Sequence, residues 1–336
     1  MSSIEIVNFS IQYSIYNAYI IISLGMIGNL INLLVFTRLK LFHENRSVFF
    51  LKIEFLSNLF YEFLSLSLTI LTSIYGDDGT SRSNIWCKMR WMLAQIFLLI
   101  GCFMICCASA DQYFSTHYYF YRRQFCTIKF ARYSAVIILC LCLIHSITFA
   151  LFFSIKPLVG CVIFDPNAVQ YASFFFYPVL TGFLPMIISG LFSLFAYQNV
   201  RRIIRRQIPI VRRHLDQQMS AMVFLHVIFF IILIFPYSFY RIYSINNPIP
   251  RSQSLEYAIR QLLQTFFQSF VRINTGINFY LFYFTSSRFR RQVKIVLIKK
   301  YWNQIKHLCS FNNNNQIAPE ISEPIDTNNE LDLDHK

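Results

Sequence analysis

The stretch Cys87–Tyr113, CKMRWMLAQIFLLIGCFMICCASADQY, decides the fold of this 336-residue chain. Its part from Met92 to Ala110 contains no Asp, Glu, Lys or Arg. At a rise of about 1.5 Å per residue, a helix from Cys87 to Gln112 would be about 37 Å long, which is close to the thickness of a bilayer with its interfaces. We therefore expect a membrane-spanning helix with a cysteine at one end and the polar triplet Asp111-Gln112-Tyr113 at the other.

The composition of the whole chain is also that of a membrane protein. Hydrophobic residues make up 55% of it and charged residues only 14%, and it contains 37 Phe and 20 Tyr, as suits lipid-facing and interfacial surfaces. The net charge of +14 does not indicate a nucleic-acid partner, because the basic residues lie between long apolar runs and form no single patch. The nine cysteines include no CxxC pair and no metal-ligand spacing, so we expect no metal and no cofactor.

Seven apolar segments, including the one above, are near or above the roughly 20 residues that a spanning helix needs. The first, fourth, fifth and sixth have no charged residue across their central turns, whereas the second and seventh carry internal charges. This pattern predicts an all-α membrane protein whose seven-transmembrane helix bundle covers residues 17–284, after an N-terminal segment of residues 1–16. The expected spans are Asn17–Thr37, Ser47–Tyr75, Cys87–Ser115, Arg132–Ile155, Tyr171–Val200, Gln217–Tyr243 and Leu255–Phe284.

The charges of the connecting loops predict the orientation of the bundle. The sequence places 19 Lys and Arg residues beside the spans on one side and six on the other, and by the positive-inside rule the richer side faces the cytoplasm. The N-terminus is then extracellular and the C-terminus cytoplasmic. In this orientation Asn8, in the sequon Asn8-Phe9-Ser10, is a candidate for glycosylation.

The residues after the seventh span predict two further cytoplasmic segments. Between Ser286 and Leu297 apolar and basic residues alternate with helical spacing, which predicts an amphipathic helix over residues 285–301, lying on the anionic inner leaflet. The tail of residues 302–336 is polar and then acidic, so we expect it to be disordered. Cys309 is a candidate for palmitoylation, with a free cytosolic thiol as the alternative.

Short motifs in the spans occur in a familiar order: Gly28-Asn29, Leu56-Ser57-Asn58-Leu59, Cys87 with Cys161, Asp111-Gln112-Tyr113, Pro185, Pro236, and Asn278-Phe279-Tyr280-Leu281-Phe282. In this order and spacing the chain resembles the rhodopsin-like (class A) G-protein-coupled receptors, in a divergent invertebrate form with the character of a peptide receptor. The resemblance implies a disulfide between Cys87 and Cys161 and helix kinks at Pro185 and Pro236. It also implies a plasma-membrane receptor with an extracellular ligand, a heterotrimeric G protein and arrestin as partners, and no enzyme activity.

Several of the family's switch positions are altered in this sequence. Gln112 stands where the family has an arginine, so it cannot be the cation that pairs with Asp111, and Phe282 replaces a tyrosine. The alternative to a receptor that activates a G protein is therefore a signalling-impaired decoy receptor. A heptahelical transporter is a weaker alternative to both. The residues that the resemblance makes candidates for coupling and switching are Asp111, Gln112, Tyr113, Pro236, Asn278 and Phe282.

Ionisable and amide side chains at membrane depth are costly to bury, so each is a functional candidate. Glu54, Asn58 and Glu62 recur every four residues and share one face of the second helix. Together with Asn29 and Asn274 they form the predicted polar core of the bundle. Arg272 of the seventh span has two interpretations, a structural ion pair with Glu62 or a position in the ligand cavity.

The second interpretation of Arg272 places it with Arg90 and Arg241 in an electropositive ligand cavity, which would favour an acidic group or a C-terminal carboxylate. Against this, Arg241 has the alternative of reaching toward the interface. Ala94 stands where amine receptors of the family carry an aspartate, which disfavours an aminergic ligand. The predicted cavity residues are Arg90, Gln95, Tyr237, Arg241, Gln268 and Arg272.

Overall fold

The computed structural model describes residues 2–39, 42, 45–75, 79–80, 82–117, 121, 127–156, 160–203, 210–247 and 254–298. The chain divides into two compact units, Met1–Val293 and Lys294–Lys336. The helix bundle belongs to the first unit, and only residues 294–298 of the second are described. Cys309 and the predicted tail of residues 302–336 lie outside the described residues.

In the described residues, the bundle consists of seven long helices and one β-hairpin, with a short helix after them. Six of these helices, α1 to α6, are long and apolar enough to span a membrane, and the more polar α7 packs among them, chiefly against α1 and α6. The bounds are α1 Ser3–Arg38; α2 Arg46–Tyr75; α3 Asn84–Ser115; α4 Ile128–Ala150; β1 Phe153–Lys156; β2 Gly160–Ile163; α5 in three consecutive pieces, Pro166–Tyr171, the π-helical Ala172–Phe183 and Leu184–Ile203; α6 Ile210–Asn246; α7 Ser254–Gly276 continued by Asn278–Thr285; and α8, residues 287–298.

Local sequence signals explain where several of these helices begin. At the start of α1, Ser2 and Glu5 form a capping box, in which Glu5 N donates to Ser2 Oγ and Ser2 N donates to Glu5 Oε2. This cap extends α1 well before the predicted start at Asn17. Ser83 and Thr127 cap α3 and α4 through their side-chain oxygens in the same way.

The first and seventh helices are joined by hydrogen bonds and by a close backbone contact. Tyr13 Oη lies 3.3 Å from Ser269 Oγ, and Tyr280 Oη donates to Leu24 O. Next to Leu24, Gly25 faces Gly276 so closely that a Cβ on Gly276 would lie 2.8 Å from the Gly25 Cα. Because no side chain larger than hydrogen fits there, these two backbones are in direct contact.

The fifth helix contains a wide turn whose register positions two aromatic side chains. Over Ala172–Phe183 the backbone is π-helical, and Leu184 N donates to Val179 O, five residues earlier. Pro178, which has no N–H to donate, lies inside this segment. Pro185, the predicted kink position, follows its end. The extra residue per turn turns the helix face, and Phe176 and Tyr177 point into the cavity described below.

The distribution of apolar side chains is that of a lipid-embedded bundle. On α4 the large side chains of Ile137, Leu141 and Ile144 are more than half exposed. Soluble monomers rarely expose such an apolar stripe to water, so this surface suits contact with lipid. The predicted amphipathic eighth helix is confirmed, because α8 buries Phe289 and Val293. The Phe289 ring packs 5.9 Å from that of Phe282.

Candidate functional site: a cationic cavity and polar clusters in the bundle

The disulfide predicted between Cys87 and Cys161 is present and fixes the hairpin to α3. Cys87 is fully buried in the first turn of α3, Cys161 lies on β2, and their Cα atoms are 5.8 Å apart. On β1, Phe153 stacks on Trp91 of α3 with ring centroids 5.0 Å apart. We call this side of the bundle the disulfide end, and the side that carries Asp111 the opposite end.

A cavity of about 660 Å³ lies at the disulfide end, beneath the hairpin. Its wall includes Gly160, Cys161 and Val162 of β2 and side chains from α1, α2, α3, α5, α6 and α7. The structure places all six predicted cavity residues, Arg90, Gln95, Tyr237, Arg241, Gln268 and Arg272, on this one wall. Among the residues described, no Asp or Glu lines the cavity.

Arg241 of α6 points into the cavity, so the alternative of an interfacial side chain does not apply. Its guanidinium lies 5.5 Å from the ring centroid of Trp91 and 5.1 Å from that of Tyr177, in cation–π range of both. Its Nη2 donates to Tyr177 Oη at 2.9 Å. Its Nε is buried and has no hydrogen-bond partner in the described part of the chain.

Arg272 of α7 lines the same cavity and contacts α1. Its Nη1 donates to the Ser14 carbonyl of α1 at 3.3 Å, and its buried Nε lacks a partner among the described residues. Beside it, Gln268 Nε2 donates to Tyr61 Oη at 3.0 Å. No ion pair joins Arg272 to Glu62 within the described residues, so the structural ion-pair interpretation is wrong.

Glu62 instead belongs to a polar cluster between α1, α2 and α7. It is 1% exposed, and Asn29 Nδ2 donates both to its carboxylate, at 3.2 Å from Oε2, and to the Thr275 carbonyl, at 2.9 Å. Glu62 Oε1 occupies the space next to Gly25, where a Cβ would lie 2.3 Å from it. The carboxylate therefore turns away from Arg272 because the glycine contact between α1 and α7 leaves room for it there.

A second polar cluster lies further toward the opposite end. Glu54 of α2, 4% exposed, is 3.3 Å from His226 Nε2 of α6 and accepts from Asn278 Nδ2 of α7 at 3.3 Å. Asn58 is buried between the two acids along α2 and its Oδ1 faces Gly101 of α3. The remaining predicted core residue, Asn274, has a buried Oδ1 that accepts no hydrogen bond from the described residues.

At the opposite end, a cation from α2 pairs with the carboxylate of the altered triplet. Arg46 Nε lies 3.2 Å from Asp111 Oδ1, and Ser47 Oγ donates to Asp111 Oδ2 at 2.5 Å. Gln112, 1% exposed, accepts from Ser220 Oγ of α6 at 3.1 Å. A neutral hydrogen bond thus joins α3 to α6 where the ion pair joins α3 to α2.

Residues 28–278 match the family model described as 7 transmembrane receptor (rhodopsin family). This chain belongs to the rhodopsin family of receptors. A comparison with curated protein sequences finds no match. As a member of this family the chain is a multi-pass plasma-membrane signalling receptor, and the family membership implies a ligand and a G protein as partners.

The other switch candidates of the receptor lie on α3, α6 and α7. Pro236 is inside α6, and Tyr113 packs against Phe192 of α5 with ring centroids 5.5 Å apart. Phe282 is fully buried, and its ring lies 6.1 Å from that of His226. Asn8, the glycosylation candidate, is exposed on the first turns of α1, next to the buried Ser10 of its sequon.

Sequence reasoning missed four residues that shape these sites: Arg46, Tyr61, Trp91 and His226. Arg46 is one of the 19 basic residues that predict the orientation of the bundle. It is also the first residue of α2, and there its side chain reaches Asp111 of α3. The sequence gives no signal for His226, because its partner Glu54 is in α2, far away along the chain. Tyr61 and Trp91 neighbour the predicted Glu62 and Arg90, and that adjacency was the available signal.

Proposed function

We propose that this receptor binds an extracellular ligand with an acidic group in the arginine-lined cavity and activates a heterotrimeric G protein through movement of α6. The observation that carries the proposal is the pair Arg241 and Arg272. In each guanidinium group the Nε is buried and has no hydrogen-bond partner among the described residues, and no carboxylate among those residues lines the cavity with them. A buried cation is costly unless an anion pairs with it, so the site favours an anionic occupant.

The orientation that this function requires has the disulfide end outside the cell. In support, the described residues at the opposite end include many basic side chains, as expected for a cytoplasmic face. A disulfide also forms and persists in an oxidising compartment, which suits the outer face. The basic residues concerned are Arg38, Arg46, Lys129, Arg132, Arg201, Arg288, Arg290 and Arg291.

Transmission from the cavity to the cytoplasm would run along α6. Arg241 is five residues from Pro236, about 7.5 Å along the helix, and Ser220 is sixteen residues from it on the other side, about 24 Å. A small displacement of Arg241 by the ligand, with Pro236 as the pivot, is therefore enlarged about threefold at Ser220. Separation of Ser220 from Gln112 would open a cleft for the G protein, and for arrestin after it.

A screen of acidic ligands against the receptor in cells tests this proposal, with arrestin recruitment as a readout that does not depend on G-protein coupling. For an active ligand we expect Arg241→Gln and Arg272→Gln to raise the half-maximal concentration about tenfold or more, because each removes a charged hydrogen-bond donor. Lys156→Gln is the matched control. It removes a positive charge at the same end, and Lys156 does not line the cavity. Equal responses in all three variants would exclude this cavity as the ligand site.

A receptor that binds ligand without activating a G protein is the second candidate function. Gln112 favours it, because its side chain is neutral, 1% exposed and bonded to Ser220. The same cells decide between the two candidates when nucleotide exchange is measured beside ligand binding. Exchange that follows ligand occupancy supports the first candidate, and binding without exchange supports the second.

A further inference from the structure

We propose that the ligand carries two separate anionic groups, one bound at Arg241 and the other at Arg272. This inference rests on the proposed function and specifies the ligand class for the same cavity. Each arginine forms its own subsite with different helices. The Arg241 subsite consists of Arg241, Trp91 and Tyr177, and the Arg272 subsite consists of Arg272, Tyr61 and Gln268.

The Arg241 subsite is held by α3, α5 and α6. Its guanidinium is stacked on Trp91 and Tyr177 and hydrogen-bonded to Tyr177 Oη, which fixes its position toward α5. Two N–H donors remain without a partner among the described residues, Arg241 Nε and the buried Trp91 Nε1. Donors of this kind match the oxygens of a carboxylate, phosphate or sulfate group.

The Arg272 subsite is held by α1, α2 and α7. Arg272 is drawn toward α1 by the Ser14 carbonyl, and its Nε remains available. Tyr61 Oη accepts the hydrogen bond from Gln268, so its own O–H hydrogen is left to donate to a second anion. Tyr61 is 8% exposed, so this donor is already largely withdrawn from water.

The anchoring of the two arginines to different walls argues against one shared anion. Arg241 is bonded toward α5 and Arg272 toward α1, and one anion would leave one of these two charges without a counter-ion. The same cavity is lined by Gln95 of α3, which is 4% exposed and has neither amide atom bonded within the described residues. A polar linker between two acidic groups would satisfy this amide.

Two sources supply this chemistry, a small dicarboxylic acid and the end of a peptide that combines its C-terminal carboxylate with an acidic side chain. The first arm of the test uses α,ω-dicarboxylates from succinate to sebacate and the monomethyl ester of each. The second uses pentapeptides with aspartate at each position in turn, with a free or an amidated C-terminus. Purified receptor is incubated with each probe, and the half-maximal concentration for raising its unfolding temperature is measured.

We expect at least one dianionic probe to act at a concentration about tenfold or more below that of its monoanionic partner. Arg241→Gln and Arg272→Gln should each raise the half-maximal concentration of that dianion to that of its monoanionic partner. Lys156→Gln should leave both concentrations unchanged. Arg241→Lys, which keeps the charge but loses the planar donors, should give an intermediate value and controls for misfolding. The arm that contains the stronger dianion identifies the source.

Three results would overturn the inference, and they differ in what they imply for the proposed function. If monoanions act as well as dianions and both glutamine variants weaken them, a single anion occupies the cavity and the proposed function survives. If neither glutamine variant weakens any probe that stabilises the receptor, the arginines are not the ligand site and both proposals fail. Absence of saturable stabilisation by every dianion of both arms also overturns the two-anion ligand.

Discussion

Replacing Arg46 with glutamine tests whether this residue has taken over the cationic role that Gln112 cannot fill. Arg46 is 16% exposed and Asp111 7%, so the pair is largely withdrawn from water. Removing one partner of a fully buried ion pair costs about 3–5 kcal/mol, because the other charge stays buried. Asp111 keeps the hydrogen bond from Ser47, and Arg46 retains some solvent, so we expect a loss of about 2 kcal/mol for Arg46→Gln.

The measurement is a double-mutant cycle on the unfolding temperature of the purified receptor and on basal nucleotide exchange. Asp111→Asn removes the buried charge, so the double variant Arg46→Gln/Asp111→Asn should be more stable than Arg46→Gln alone. We expect a coupling of about 2 kcal/mol, and a rise in basal exchange in Arg46→Gln as the hold on α3 is lost. Arg132→Gln, an exposed charge at the same end, is the control. Additive effects of the two substitutions would refute the reasoning.

Three further predictions concern the polar clusters and the hairpin. Gln112→Arg should raise basal nucleotide exchange, since a charge here would lose the present hydrogen bond and compete for Asp111; unchanged exchange would show that the neutral residue does not limit coupling. His226→Phe should lower stability by about 1–3 kcal/mol by leaving the Glu54 carboxyl less satisfied, and the same loss in a Glu54→Gln background would contradict this. Cys161→Ser should cost about 2–5 kcal/mol and weaken ligand binding, measured against the exposed-thiol control Cys140→Ser, which should behave as the parent receptor.

The spans could be predicted because each depends on order along one helix. An uncharged run long enough to cross a bilayer fixes a helix without its neighbours, and depth along a helix follows from the rise per residue. The depths of Arg90, Arg241 and Arg272, taken with the resemblance to rhodopsin-like receptors, predicted that they share a cavity, and they line one. The resemblance also implied the disulfide between Cys87 and Cys161, and they are bonded.

The partner of each buried charge could not be predicted, because it depends on how the helices are rotated and how closely they approach. In one of the two interpretations of Arg272 it paired with Glu62, yet the Glu62 carboxylate occupies the space beside the contact of Gly25 with Gly276. Nothing in α2 itself encodes that space. Asp111 likewise finds its cation in Arg46, which the sequence places in a loop-flanking position like those of many other basic residues.

The backbone contact between Gly25 and Gly276 has a practical consequence for observing this receptor at work. Together with the bonds of Tyr13 to Ser269 and of Tyr280 to Leu24, this contact resists sliding and rolling of the first helix against the seventh. A fluorophore on the first helix would therefore serve as a stationary landmark, and a second one on the sixth helix would report its displacement as a change in distance between the two dyes.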